Sequence, residues 1–210
     1  DMGAWLLIIV VAIILTICTD TFFTWDNIMN VVRQTCVVSI IALCSAFVVL
    51  GGEIDLSTGM VSTLAGCTPA LLITKAGFTT FPAILVAILI GAIIGTFTGC
   101  IVTFLKIPAF IGSLGVQYIV QGTILITTNS MPITGLPDDF LFLGRGYIAN
   151  VLPFPIIIML VFFIIGAVVL KYTPFGRSVI SVGENPDAAK LSGLNHRYAE
   201  SGQHRKVFSG

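Results

Sequence analysis

Two carboxylates lie in a short polar break between two apolar stretches of the chain. The break reads Gly51-Gly52-Glu53-Ile54-Asp55-Leu56-Ser57-Thr58-Gly59. Its glycines suit a sharp turn, and Asp55 or Ser57 can cap the exposed N–H groups of a following helix. Acidic groups and irregular backbone at membrane depth are also typical of helix breaks that line a polar pathway. The break is therefore interpreted as a capped turn, as part of a pathway, or as both.

The remaining reactive side chains do not favour a catalytic or metal centre. The cysteines lack C-x-x-C spacing, lie in apolar stretches and are interpreted as buried thiols: Cys18, Cys36, Cys44, Cys67 and Cys100. His196 and His204 are too far apart in sequence to ligate from adjacent helical turns. No G-x-x-x-x-G-K-[ST] loop is present, so the chain is not expected to cradle ATP phosphates. We expect no cofactor and no enzymatic activity.

A small polar group interrupts one apolar stretch. Gln117, Tyr118 and Gln121 share a helical face by their i, i+1, i+4 spacing. Two amides and an aromatic ring could contact sugar hydroxyls and the apolar face of a pyranose. The same amides could instead form hydrogen bonds that join membrane helices. Both interpretations remain open from the sequence.

The composition identifies the elements that must position these residues as membrane helices. The chain has 210 residues, of which 56% are hydrophobic and only 10% charged, with a mean hydropathy of +1.05 and a net charge of zero. Soluble domains carry roughly 25% charged residues, so a soluble enzyme and a nucleic-acid binder are excluded. At about 20 residues per span, the apolar content supports five or six membrane helices.

Six apolar runs predict an all-α polytopic membrane protein with about six transmembrane helices. They are too long and too continuous for barrel strands, which alternate over about 10 residues. The predicted spans are Ala4–Thr19, Val31–Leu50, Leu56–Ile73, Phe81–Leu105, Ile107–Thr128 and Val151–Leu170.

The basic residues predict a cytoplasmic N-terminus by the positive-inside rule. With this orientation three basic residues lie outside: Arg33, Lys75 and Arg145. Seven lie inside: Lys106, Lys171, Arg177, Lys190, Arg197, Arg205 and Lys206. The segment Thr128–Asn150 then forms the largest external loop, and the chain from Lys171 onward is cytoplasmic.

Three glycines at four-residue spacing, Gly91, Gly95 and Gly99, mark one face of the fourth predicted span. Such spacing lets helix backbones approach closely in lipid. Packing within the subunit and contact with a second subunit are both consistent with it, and the first is the main expectation.

The segment after the last span predicts a short cytoplasmic helix. Asn185 suits an N-cap, Pro186 the first helical position, Asp187 the first turn and Gly193 the stop. A helix of about two turns is marginal alone in water. We therefore expect membrane-facing loops or a partner protein to stabilise it.

This segment also carries a family resemblance. Asp187-Ala188-Ala189 followed by Gly193 resembles the E-A-A-x-x-x-G loop of ABC importer permeases. Phe175-Gly176-Arg177 and Leu191-Ser192-Gly193-Leu194-Asn195, with the break at 51–59, are similar to the monosaccharide branch: the ribose, xylose, arabinose and galactose type. The resemblance implies that Glu184, Asn185, Pro186, Asp187, Ala188, Ala189 and Gly193 couple the chain to an ATPase.

The resemblance further implies three protein partners in the bacterial inner membrane: a cytoplasmic ATP-binding subunit, an extracytoplasmic sugar-binding protein and a second permease subunit. Family members continue with further spans, so residues 1–195 are expected to be a partial permease domain. Residues 196–210 are then a polar tail leading toward a missing C-terminal part. The alternative is a secondary transporter driven by an ion gradient, which would have to use Glu53 and Asp55. Which sugar is carried stays open.

Overall fold

The computed structural model describes residues 2–148 and 152–185, and the chain there is almost entirely helical. In chain order the helices and strands are α1 Met2–Cys18, α2 Trp25–Leu50, α3 Thr58–Ala76, α4 Thr80–Leu105, α5 Ala109–Thr128, α6 Asp138–Arg145, β1 Tyr147–Ile148, β2 Leu152–Pro153, α7 Phe154–Tyr172 and α8 Pro174–Glu184. The all-α prediction is confirmed. Each of the six predicted spans corresponds to a helix.

Within residues 2–148 and 152–185, four helices are long and apolar enough to cross a membrane: α2, α4, α5 and α7. The helix α1 is shorter, and α3 carries several hydroxyl side chains, Pro69 and Lys75. Membrane crossing by these two helices therefore stays a prediction. Helix α2 begins six residues before the predicted boundary because the Thr24 side chain accepts a hydrogen bond from the Asn27 N–H at 3.4 Å, which caps the helix.

Two groups of helices pack together. Helices α3, α4 and α5 enclose a small core of Leu64, Val116 and Val120, while α2 packs against α7. Many large apolar side chains point away from these contacts, including Ile93 and Phe104, which are more than 60% exposed. Apolar exposure on this scale is typical of a surface that faces lipid.

The predicted external loop contains local structure that the sequence did not indicate. It includes α6 and β1, and β1 pairs antiparallel with β2, which lies at the start of the last predicted span. The Arg33 side chain of α2 reaches this region. Its guanidinium donates to the Arg145 carbonyl oxygen at 3.4 Å and lies over the Tyr147 ring at 4.7 Å. This contact anchors the end of α6 to α2.

The glycine stripe of α4 does not pack as expected. A Cβ atom added at Gly91, Gly95 or Gly99 would meet nothing within 4 Å in the described part of the chain. Helix α4 instead buries Ala83, Ala87 and Thr98. Among the described residues the expected close packing is not seen at these glycines, because spacing shows only where a close approach is sterically allowed. Packing within the subunit and contact with a second subunit both remain predictions.

Candidate functional site at the α2–α3 turn

The polar break forms a tight turn between α2 and α3. Gly52 has a φ of +85°, its N–H donates to Val49 O at 2.9 Å, and the Glu53 N–H donates to Val48 O at 3.2 Å. These two bonds are the Schellman arrangement that ends a helix with a left-handed residue, a role suited to glycine. The predicted non-helical turn between the two helices is confirmed.

Asp55 organises the start of α3. Its Oδ1 atom accepts from both the backbone N–H and the hydroxyl of Ser57, each at 2.7 Å. Ser57 is 2% exposed, and its own side chain makes no capping bond to α3. Neither residue caps an N–H group of α3 as predicted, because the Asp55 carboxylate bonds to Ser57, which precedes the helix, and α3 begins at Thr58, two residues after the predicted boundary at Leu56.

Ser113 of α5 forms a hydrogen bond to this turn, and the sequence did not indicate this role for Ser113. The Leu56 N–H donates to Ser113 Oγ at 3.1 Å, and the same hydroxyl donates to Phe110 O at 3.2 Å. Ser113 is 1% exposed. Its hydroxyl therefore satisfies a backbone donor of another element in a buried position, where an unpaired donor is costly. No sequence signal separates it from serines that bond only within their own helix.

Helix α8 is a further element that the sequence did not indicate. Thr173 caps it by accepting from the Gly176 N–H at 3.2 Å, and Pro174 occupies its first position. This is the cap-and-proline pattern that was recognised only at Asn185 and Pro186. Arg177, Ser181 and Glu184 lie on its exposed side.

Helix α8 contacts the α2–α3 turn. Its Gly183 lies against the carbonyl group of Leu50 at the end of α2, so closely that an added Cβ would overlap the Leu50 oxygen. The Gly51-Gly52 turn therefore touches the helix that leads directly into the predicted coupling segment.

The predicted coupling residues are only partly within the described chain. Glu184 is the exposed last residue of α8, and Asn185 is its C-cap, with the Asn185 N–H donating to Ser181 O at 3.1 Å. The remaining predicted residues lie outside the described residues: Pro186, Asp187, Ala188, Ala189 and Gly193.

Gln117, Tyr118 and Gln121 lie on a different face of α5 from its core residues. Gln117 and Gln121 are half-buried, and Tyr118 is 62% exposed. A cavity of about 460 Å³ lies between α3, α4 and α5, lined by apolar side chains and threonines and by none of these three residues. Within the described chain neither glutamine side chain forms a hydrogen bond to another helix.

Comparison with known proteins identifies the family. Residues 27–200 match the family described as branched-chain amino acid transport system / permease component. The chain belongs to this permease family. Because the match covers most of the chain and four helices of the described residues can cross a membrane, this permease is a multi-pass protein of the bacterial inner membrane.

Relatives of this permease include permeases named for the import or transport of ribose, xylose and autoinducer 2. The ribose import permease of Haemophilus influenzae is 40% identical over 193 residues, covering 90% of this chain and 59% of that protein. The xylose transport system permease of the same organism is 25% identical over 259 residues, covering 93% and 69%. The autoinducer 2 import system permease of Photorhabdus laumondii is 29% identical over 181 residues, covering 86% and 54%.

This permease spans about three fifths of the length of the ribose permeases that it matches, 59% and 60% for those of Haemophilus influenzae and Bacillus subtilis. No solved structure matches the chain at a significant level.

Proposed function

We propose that this chain is part of the transmembrane subunit of an ATP-driven ABC importer that moves a monosaccharide across the bacterial inner membrane. The observation that carries the proposal is the contact between the Gly51-Gly52 turn and Gly183, because it joins the membrane helices to the segment that resembles an ATPase-binding loop. The ribose import permease of Haemophilus influenzae, which is 40% identical over 90% of this chain, supports the same function.

The energy source would lie in a partner protein. A cytoplasmic ATP-binding subunit would bind the segment Glu184–Gly193 and hydrolyse ATP, so the permease itself would be no enzyme. An extracytoplasmic sugar-binding protein would deliver the substrate on the side of α6. A second permease subunit, identical or related, would complete the pathway. The exposed side of α8 carries the charged residues Arg177 and Glu184 and is polar enough to contact a soluble partner protein.

An ion-coupled carrier remains the alternative, and the geometry of Asp55 argues against it. A coupling carboxylate must exchange protons or ions during transport. The Asp55 Oδ1 atom instead accepts two hydrogen bonds from Ser57 and so holds the residue that precedes α3.

Replacing Asp55 tests this distinction. Asn retains an acceptor oxygen for the Ser57 N–H but removes the charge, whereas Ala removes both. We expect Asp55→Asn to retain most of the uptake of radiolabelled ribose in cells that contain the full-length permease and its partner proteins, and Asp55→Ala to lose much of it. Loss of uptake in Asp55→Asn to the level of Asp55→Ala, with normal membrane insertion, would favour the ion-coupled carrier.

The substrate class follows from the relatives, whose names cover ribose, xylose and autoinducer 2. Gln117, Tyr118 and Gln121 remain the proposed pathway residues, since the two glutamines keep their amides free of other helices in the described chain. A binding screen of pentoses, hexoses and autoinducer 2 against the extracytoplasmic partner identifies the substrate. Gln117→Leu should then lower the uptake of that substrate while leaving its binding to the partner unchanged.

A further inference from the structure

One face of α8 carries glycines two helical turns apart. Gly176 and Gly183 are separated by seven residues, and Val179 lies between them on the same face. Gly176 is buried against the end of α7, where an added Cβ would collide with the backbone of Leu170. This face is therefore the one that packs onto the membrane helices.

At the other end of this face, the contact is between two backbones. A Cβ at Gly183 would overlap the Leu50 carbonyl oxygen and lie 3.3 Å from the carbonyl carbon of Gly51. From the other side, a Cβ at Gly52 would lie 3.5 Å from the Cα atom of Gly183. Small residues allow this close approach of two main chains. At Gly183 the two backbones touch directly, with no flexible side chain between them that could adjust its rotamer. A displacement of α8 must therefore move the α2–α3 turn as well.

The α2–α3 turn is hydrogen-bonded both to α2, which precedes it, and to α5. The Glu53 N–H closes onto Val48 O, and three residues later the Leu56 N–H bonds to Ser113 of α5. A chain of close contacts and hydrogen bonds thus runs from the end of α8 through the α2–α3 turn to α5. Coupling between distant sites requires a contiguous physical connection of this kind or a shared equilibrium.

We propose that Gly183 is a positioning residue for transport: it seats the end of α8 on the Gly51-Gly52 turn, so that α8 and the turn move as one body when the ATPase moves the coupling segment. This inference rests on the proposed importer function. Gly183 needs no contact with sugar or nucleotide. Because Gly183 has no side chain, α8 can lie directly against the turn. The segment from Glu184 onward then begins at a fixed position relative to α3 and α5.

The first test compares two Gly→Ala variants in the full-length permease, reconstituted with its ATPase and its sugar-binding protein. Gly115 is the control, because it is exposed and a Cβ there meets nothing within 4 Å in the described chain. We expect Gly183→Ala to lower the sugar imported per ATP hydrolysed by about tenfold, within the range reported for mutations along coupling networks, while the ATPase still copurifies. Gly115→Ala should match the wild type.

The second test uses the wild-type sequence outside the label sites and so does not depend on a variant that folds. Spin labels are placed at Ser181 on the exposed side of α8 and at Val49 near the end of α2, both exposed. We expect their distance to change by less than about 2 Å between the nucleotide-free and ATP-bound transporter, since larger shifts are those of helices sliding past each other.

The outcomes separate the two levels of the proposal. A larger distance change in the wild type, or unchanged import per ATP in Gly183→Ala, overturns the role of Gly183 while the importer function stands. Equal loss in Gly115→Ala, or loss of the ATPase from the Gly183→Ala complex, overturns it as well. A wild-type complex that imports no sugar with ATP would instead contradict the proposed function.

Discussion

The bond between Ser113 and the α2–α3 turn gives a prediction whose magnitude follows from the structure. In Ser113→Ala the Leu56 N–H loses its acceptor at a position where the serine was 1% exposed. A buried donor left without a partner costs about 1–3 kcal/mol. Leu56 itself is 37% exposed, so its N–H can regain some hydration, and we expect a loss of about 1–2 kcal/mol in the free energy of unfolding.

Ser62→Ala is a matched control for this change. Ser62 is the fifth residue of α3 and Ser113 is the fifth residue of α5, so both variants make the same change in helix propensity. The Ser62 hydroxyl donates only to Gly59 O of its own helix, at 2.7 Å. Its removal leaves no backbone donor without a partner, and we expect a change of less than about 0.5 kcal/mol.

The assay is unfolding of the two purified variants by sodium dodecyl sulfate in mixed detergent micelles, followed by circular dichroism or tryptophan fluorescence. The difference between the variants isolates the bond to Leu56, because the effects of the serine-to-alanine change itself cancel. Equal free energies of unfolding within about 0.5 kcal/mol would refute the reasoning that Ser113 holds the turn against α5.

Three further predictions concern α8, the topology and α4. Thr173→Ala should weaken α8 by about 1 kcal/mol through loss of its cap, seen as faster amide hydrogen exchange in α8, while Thr173→Ser should retain protection. In a cysteine-free permease, an impermeant thiol reagent added outside intact cells should label Ser130→Cys and spare Ser181→Cys, and the reverse labelling would overturn the orientation. Gly95→Ala should leave the free energy of unfolding of the detergent-solubilised subunit unchanged or raise it by about 0.5–1 kcal/mol, since no described atom lies within 4 Å of the added methyl group. A lower free energy of unfolding would show that Gly95 packs against a neighbour that this structure does not place there.

The break between α2 and α3 could be predicted because its causes are local. A glycine pair and two residues able to cap lie next to each other in the sequence, and the turn needs only them. Predicting that neither would cap the helix was harder, since both side chains can accept a hydrogen bond. In the structure the Asp55 carboxylate accepts the backbone N–H and the hydroxyl of Ser57, the residue before α3, and neither side chain bonds to an N–H group of α3 within the described chain.

Long-range contacts set the limit of prediction from the sequence. Nothing near Ser113 indicates that its acceptor role serves Leu56, which lies 57 residues earlier in the chain. The glycine spacing of α4 could not reveal which helix faces it. The contact of Gly183 with Leu50 likewise depends on how α8 folds back onto α2. Helix α8 itself had a local signal in Thr173 and Pro174, but its short amphipathic pattern lacks the continuous apolar run that marks a span.

The importer function is tested most directly by varying the energy source. The full-length permease is reconstituted in liposomes with its ATPase and its sugar-binding protein, and uptake of labelled sugar is followed with ATP on the ATPase side or with an imposed proton or sodium gradient alone. We predict uptake that requires ATP hydrolysis and continues when a protonophore collapses the gradient. Uptake driven by the gradient without ATP, and abolished by the protonophore, would contradict the function proposed for this permease.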